Sequence, residues 1–496
     1  MFTLYDDEAA AIGRNVIGKQ RDFAVGRWSE ERLAAHQLDA FGATLDHVRE
    51  NSPFYQRHLA KAPARLASLS AEDLAAFPFT TKDDLRAAQQ DVLSRPLSKA
   101  WIFYETTGTT GAVTPCPRDN TDSLHNNAVL TSHYETILRP YGENQFIGVS
   151  GPTEMHAFGD TFGDVCRNIG LAVAKMWPHS PMVGFDRALA AIREIPLTGL
   201  FCTPGMVLTL AKKAVAAGLD PARDLPVEVL MLTGELASPA LLTAIGELWG
   251  GRAYNALYAS QEASVLGAAG ADGHLYAVPV INHYEVIDPS GDAAVEPDAD
   301  GVLTGELVVT SLYQGLKPLV RYRTGDLVRM RAAAPGRTIP APVLEVLGRT
   351  RDEMSVGGHS VTGYDLENLL LSPFGGYVDY QVVLDSDDDG TDRLTLRFET
   401  PDGTAPSTDD AALAAVRDRL GVAVDVELGS MGSITSTGAM VSWKAARVVD
   451  RRTCRDAESA AARALMVSWK AARVVDRRTC RDAESAAARA LAVARS

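Results

Sequence analysis

Trp101-Ile102-Phe103-Tyr104-Glu105-Thr106-Thr107-Gly108-Thr109-Thr110-Gly111 joins an apolar run to a segment of threonines and glycines. Hydroxyls offer phosphate oxygens a row of donors, and glycine lets backbone N–H groups come close enough to add their own. The apolar run, 101–104, reads as a short buried strand. Thr106, Thr107, Gly108, Thr109, Thr110 and Gly111 then lie at a strand's carboxyl end, where α/β proteins bind ligands. No Gly-Lys-Ser/Thr closes the segment, so it is not the phosphate loop of NTPases. A polar surface turn is the plain alternative.

On either side of this loop, short apolar runs alternate with helical stretches from about 100 to 330: residues 229–232 precede a helix from Ser238, and residues 307–309 form a later strand. This is an α/β pattern. Upstream, residues 28–59 have helical periodicity and end in Ser52-Pro53-Phe54-Tyr55, and Thr81-Lys82-Asp83-Asp84 reads as a capped helix start. Downstream of the strand 343–347 and the pair Gly348-Arg349, a compact α+β module is expected. Its helices are 364–371 and 409–420, and its strands 377–384, 393–400 and 423–428, with Leu394, Leu396 and Phe398 sharing one face. The chain therefore divides near 350 into a body, 1–350, and a smaller domain, 351–465.

Residues 440–465 (MVSWKAARVVDRRTCRDAESAAARAL) recur unchanged as 466–491. Solenoid repeats diverge and need at least three copies to bury a core, so two identical copies read as a recent duplication or an artefact of the gene. The tail 466–496 is expected to be dispensable.

With 46% hydrophobic and 22% charged residues the chain is a globular protein with a sizeable core, and its net charge of −15 argues against a nucleic-acid or anionic-membrane partner. Five scattered cysteines without metal-ligand spacing read as reduced thiols of a cytoplasmic protein. The acidic N-terminus leads into no long apolar run, so neither a signal peptide nor a membrane span is expected. His274 and His283 have no cysteine near them, so no structural zinc is expected. Gly13 to Gln20 matches the spacing of the NTPase phosphate loop, but Gln20 stands where the hydroxyl should and no strand precedes it.

Four further pieces carry chemistry. In Tyr258-Ala259-Ser260-Gln261-Glu262 a carboxylate at a strand end could hold the Mg²⁺ that accompanies ATP, or be an ordinary strand-end glutamate. In Leu319-Val320-Arg321-Tyr322-Arg323-Thr324-Gly325-Asp326 the acid after a turn can accept both ribose hydroxyls, or simply close a Gly-Asp turn. Gly234, before Glu235, leaves room for a flat purine beside a buried strand. Lys444 stands in Ser442-Trp443-Lys444-Ala445 of the last segment, where a solvated charge is the default.

The order of these pieces resembles the ANL superfamily of adenylate-forming enzymes. Ser-Pro-Phe-Tyr at 52–55, Phe-Thr-Thr-Lys-Asp-Asp-Leu-Arg at 79–86 and the lysine-containing tail look like its phenylacetate–CoA ligase family, over residues 28–451. The resemblance implies a large N-terminal adenylate-forming domain and a small mobile α+β lid. It implies a reaction in which ATP and a carboxylate, aromatic by family resemblance, give an acyl-adenylate and pyrophosphate. The thiol of coenzyme A then displaces AMP. It assigns residues 106–111 to the phosphates, Gly234 and Glu235 to the adenine, and Tyr258 and Gln261 to the nucleotide. Glu262 would bind Mg²⁺, Asp326 and Arg349 the ribose, and Lys444 would be the catalytic cation. His156, Phe158, Ala259 and Ser260 would line the acyl pocket, with Phe162 as a further wall, and Asp352 would be the hinge.

The chain departs from the family pattern at Ala112, where a lysine usually follows the loop, at Gln261 and Ala259, at Gly357-Gly358, and in a longer approach to Lys444. Lys470 has the same neighbours as Lys444, which is favoured by its distance from strand 423–428. The departures leave open an acyl carrier protein or an amine as acceptor, and a catalytically inactive nucleotide-binding homologue; the intact Glu262, Asp326 and lysine argue against the last.

Overall fold

The computed structural model describes residues 6–106, 113–334, 336–350, 353–387, 389–434 and 447–452. It divides into two compact units: Met1–Cys202 with Pro226–Gly234 and Arg252–Thr350, and Thr203–Leu225 with Glu235–Gly251 and Arg351–Ser496.

The first unit is organised by one mixed eleven-stranded sheet. Its parallel half runs, in spatial order, Ala172–Lys175, Phe146–Val149, Leu197–Cys202, Val229–Thr233 and Arg252–Ser260. Val229–Thr233 is buried throughout, as expected of a strand covered on both faces, which explains its unbroken apolar sequence. From Arg252–Ser260 onward every pairing is antiparallel: Ser264–Ala269, Leu275–Ala277, Val343–Arg349, Tyr322–Arg331, Val302–Ser311 and Asn282–Ile287. The sheet thus changes character at the strand that ends in Tyr258-Ala259-Ser260.

The helix Asn120–Leu138 is buried on almost every side although it carries Asp122, Ser123, Asn126, Asn127, Thr131, Ser132 and His133. Partners offset the cost of burying these groups. Asp119 and Asp122 form a capping box, Asn126 Oδ1 accepts from Val265 N at 3.1 Å, and the Tyr134 hydroxyl donates to Ala256 O at 2.8 Å. His133 Nδ1 faces Ala269 O at 3.1 Å and its Nε2 faces Gln20 Nε2 at 3.4 Å. Because a carbonyl only accepts, the ring proton sits on Nδ1 and the other nitrogen accepts from Gln20. Gln20 lies in the helix Asp7–Ala24, so residues 13–20 are helical and form no phosphate loop.

The run at 101–104 differs from its sequence reading. Ile102–Glu105 pairs antiparallel with Pro115–Arg118 in a separate two-stranded ribbon and is not a strand of the sheet. Trp101 and Phe103 are 40% and 38% exposed, and only Tyr104 is buried, beneath the Arg118 guanidinium. A short aromatic run carries no record of whether a second layer covers it.

The second unit centres on a four-stranded sheet ordered Ala423–Leu428, Asp392–Glu399, Asp379–Ser386, Val448–Asp450. The helices Gly363–Leu371 and Asp410–Leu420 complete it, and Leu394, Leu396 and Phe398 are fully buried on one face, as their alternation predicts. Two earlier segments belong to this unit, which a single cut at 350 does not anticipate. Side chains explain their membership: Lys212 pairs with Asp379 and Glu399, Glu367 Oε1 accepts from Ser238 N at 2.9 Å, and Asn368 Oδ1 accepts from Ala240 N at 3.0 Å.

Candidate active site

Asp326 lies inside the strand Tyr322–Arg331, opposite Arg349 on Val343–Arg349, rather than after a turn. Its Oδ2 accepts from the Tyr258 hydroxyl at 2.7 Å, and its Oδ1 is 3.1 Å from Arg349 Nε. Arg349 is anchored in turn by donating to Thr324 O at 2.8 Å. Burial and the adjacent Asp326 carboxylate hold the Tyr258 phenol well above its usual pKa, so it stays a donor. A carboxylate offers about four acceptor positions. Gly325, at φ +69°, has no room for a side chain free of strain, since a Cβ there would meet Arg349 at 3.3 Å.

The flanking motif residues brace this strand. Arg321, itself at φ +45°, pairs with Glu285 at 2.7 Å, donates to Leu74 O at 2.8 Å and stacks 3.9 Å over the Phe79 ring. Thr80 bonds both neighbours of Tyr322 through its backbone, and the Tyr55 hydroxyl accepts from Val320 N at 3.0 Å. Residues 52–55 and 77–81 therefore act by holding 319–323 in place. Thr81 and Asp84 form the expected capping box at the start of Lys82–Ala88.

That cap aims Lys82 at the second group. Its Nζ lies 2.7 Å from Glu262 Oε1, and Glu262 is 7% exposed. Burial alone would raise this carboxyl, but the Lys82 and Lys317 ammonium groups outweigh it and hold the pKa below the usual glutamate value. Lys317, also 7% exposed, donates to Pro115 O at 3.1 Å and to Cys116 Sγ at 3.4 Å. Arg118, Asp122, Gln261, Glu262, Tyr313 and Lys317 line one recess, into which no hydrogen-bond partner brings Gln261 Oε1 among the described residues. Tyr322, fully buried, feels the charges of Glu262, Arg349 and Asp326, which with burial hold its phenol well above the usual pKa.

Among the described residues no group of three or more His, Cys, Asp and Glu could hold a metal ion. Glu262 thus fits Mg²⁺ only as a one-carboxylate site completed by phosphate and water oxygens, a mode this ion commonly adopts.

The remaining assigned residues fall as follows. Gly234 has φ +87°, and Glu235, in the second unit, accepts from Gly205 N at 2.9 Å through Oε2. Ala259 and Ser260 are half-buried at the end of their strand, where Ser260 Oγ accepts from Ala263 N at 3.0 Å. His156 is half-buried, its Nδ1 accepting from Phe158 N at 3.2 Å. Phe158 and Phe162 are core residues: Phe162 stacks on Phe201 at 4.2 Å and Phe158 packs edge-on against Phe162 at 4.8 Å. Thr107, Gly108, Thr109, Thr110, Gly111, Asp352, Lys444 and Lys470 lie outside the described residues, while Thr106 N donates to Thr114 O at 3.1 Å. At the level of sequence, Lys82 is quoted in a helix start and in the 79–86 resemblance without a role at the site, and Lys317 is passed over, its one signal a lone charge inside Leu-Lys-Pro-Leu-Val.

No protein-family model matches the chain. It is 29% identical over 360 residues to phenylacetate-coenzyme A ligase of Pseudomonas putida, covering 69% of this chain and 76% of that one. Against phenylacetate-coenzyme A ligase of Aromatoleum evansii it is 27% identical over 448 residues, 86% and 96% of the two chains. Among solved structures, 2-hydroxyisobutyryl-CoA ligase in complex with R3-HIB-AMP matches with a TM-score of 0.70 at 22% identity, covering 89% of this chain and 93% of that one, a likeness of fold. In sequence the chain is similar, over most of its length, to the phenylacetate–coenzyme A ligases, and in fold to an acyl-CoA ligase.

Proposed function

We propose that the protein is an AMP-forming ligase that activates a small carboxylate with ATP and passes the acyl group to the thiol of coenzyme A. One observation carries the reading: a single stretch, Tyr258 to Glu262, joins a carboxylate able to accept hydroxyls, Asp326 held by Tyr258 and Arg349, to an anion-binding group, Lys82 and Lys317 about Glu262. A ribose on the first and a triphosphate on the second satisfy both.

A carboxylate is a poor electrophile until one of its oxygens joins a good leaving group. In the first step the substrate carboxylate oxygen attacks the α-phosphorus of ATP and pyrophosphate departs. In the second the thiol sulfur attacks the acyl carbon and AMP departs. Asp326 and Arg349 fix the ribose and Tyr258 keeps the Asp326 carboxylate oriented. Residues 106–111 and Gln261 donate to phosphate oxygens. Gly234 and Glu235 flank the adenine. Glu262 would hold Mg²⁺, which supplies charge neutralisation at the phosphates. With Phe158 and Phe162 in the core, His156, Ala259 and Ser260 remain to border an aromatic acyl group, the class named by the curated relatives.

Lys444 is the cation for the developing charge of the first step. Its copy is favoured because Val448–Asp450, four residues further on, pairs with Asp379–Ser386, and Arg447 beside it is seated on Asp379 and over the Tyr380 ring. The hinge is assigned to Asp352, the domain boundary to residue 350, and the tail from 466 to a dispensable duplicate. Incubation with ATP, a panel of aryl and alkyl carboxylates and coenzyme A should yield AMP, pyrophosphate and a thioester. Formation of ADP and an acyl phosphate would overturn the reading.

A further inference from the structure

Lys317 brings a buried ammonium to its recess. Its ammonium has three donors; two are directed at the neutral Pro115 O and Cys116 Sγ, and no carboxylate among the described residues pairs with it. The nearby Glu262 is already engaged by Lys82, and Arg118, 6% exposed, adds a second cation to the lining. Asp122, the other acid there, spends Oδ2 on the backbone N–H groups of Asp119 and Leu316, at 3.0 and 3.1 Å. Glu262 feels the Lys317 charge but is paired with Lys82, and a buried ammonium with no ion pair of its own is costly, a cost that an arriving anion offsets.

The backbone holds Lys317 firmly in place. Pro318 restricts the preceding residue to extended conformations, and Gly315 is packed so tightly that a Cβ would come within 1.8 Å of Asp122 Oδ1. The segment 106–112 contains no basic residue, so it cannot supply this charge.

We propose that Lys317 is a polyphosphate-binding residue, whose ammonium contacts the part of ATP that leaves as pyrophosphate. Lys317 lines the same recess as Glu262, and Asp326 is not part of that lining, so the ribose end and the terminal phosphates are held by different side chains. This inference rests on the ligase reading above.

The test is binding by the full chain in metal-free buffer, with ATP, inorganic pyrophosphate and AMP as separate probes, for wild type, Lys317→Met and Lys317→Arg. A charge-assisted hydrogen bond supports a loss of about 10- to 100-fold for ATP and pyrophosphate in the Met variant. AMP affinity should stay within about twofold, because AMP lacks the groups Lys317 meets. Lys317→Arg should recover most of the loss. Equal weakening of all three probes, or unchanged ATP and pyrophosphate binding, would overturn the proposal. If the Met variant fails to fold, Lys317→Gln takes its place and must show the same split. A wild-type chain that forms no AMP sinks the ligase reading itself, whereas one that forms AMP with Lys317→Met binding ATP normally sinks only the role of Lys317.

Discussion

Replacing Lys212 with Met removes one positive charge from between two buried carboxylates. Lys212 Nζ lies 2.6 Å from Asp379 and 3.3 Å from Glu399, and donates to Ile434 O at 2.7 Å; the three side chains are 11%, 2% and 0% exposed. Removing one partner from a buried ion pair costs about 3–5 kcal/mol, because the other partner keeps its desolvation cost without its compensation. Two features pull the value toward the lower end. Asp379 keeps Arg447, and Glu399 Oε1 keeps the donors Ser433 Oγ and Ile434 N. The expected loss is therefore about 3 kcal/mol. A chain of two units need not unfold in one step, so a single melting temperature is a poor readout. Hydrogen exchange at amides of Asp379–Ser386 and Asp392–Glu399 reports the local opening energy instead. Adding Glu399→Gln to Lys212→Met should recover part of the loss, since no unneutralised carboxylate then remains at that end. A loss under about 1 kcal/mol, or simple additivity of the two changes, would refute the account.

Other expectations follow from the sites described. Glu262→Gln keeps the shape but loses the charge, so the Mg²⁺ titration of AMP formation should flatten while the fold persists; an unchanged titration would return Glu262 to a purely structural place. Lys444→Ala combined with Lys470→Ala should lower adenylate formation by about 10²–10³, from the loss of roughly 3–4 kcal/mol at the developing charge, and an unaffected rate would remove both lysines from the chemistry. Burial pushes His125, His133 and His283 down to about 4, so the folded chain holds them neutral while the unfolded chain protonates them near 6.5. Stability from these groups is present above pH 6.5 and lost as pH falls toward 4, by up to about 3 kcal/mol each, and His133→Leu should flatten that slope even if it lowers stability at pH 7. Equal slopes in denaturation series at pH 4.5 and 7 for wild type and variant would refute it.

What the sequence makes legible is what is local. The alternation of Leu394, Leu396 and Phe398 shows in the burial of all three, and Thr81 and Asp84 form their cap within one turn. Asp326 and Arg349 were paired through family resemblance, and the antiparallel register sets them opposite each other. Local signals fail where the outcome depends on what arrives from elsewhere. Lys82 and Glu262 are 180 positions apart, and Lys317 meets Pro115 from 202 away, so no window of sequence contains either contact. Phe158 reads as a pocket wall in the sequence, yet its ring packs in the core against Phe162, which is itself stacked on Phe201. Membership of residues 203–225 and 235–251 in the second unit turns on Lys212, Ser238 and Ala240 finding Asp379, Glu367 and Asn368, partners more than a hundred residues ahead.

The strand Val448–Asp450 occupies the open edge beside Asp379–Ser386, and the chain carries an identical Val-Val-Asp at 474–476. One seat and two interchangeable occupants make a competition decided only by tether length. Counted from Leu428, the end of the preceding strand, the first copy arrives after 20 residues and the second after 46. Closing the longer loop costs about 0.7 kcal/mol more, a preference of roughly three- to fourfold. Such a margin would make the second copy a standing reserve, its Val-Val-Asp available to the same edge where the first is damaged. With Lys444 as the proposed cation, a single lysine substitution would then look mild, and only the double change would expose its role.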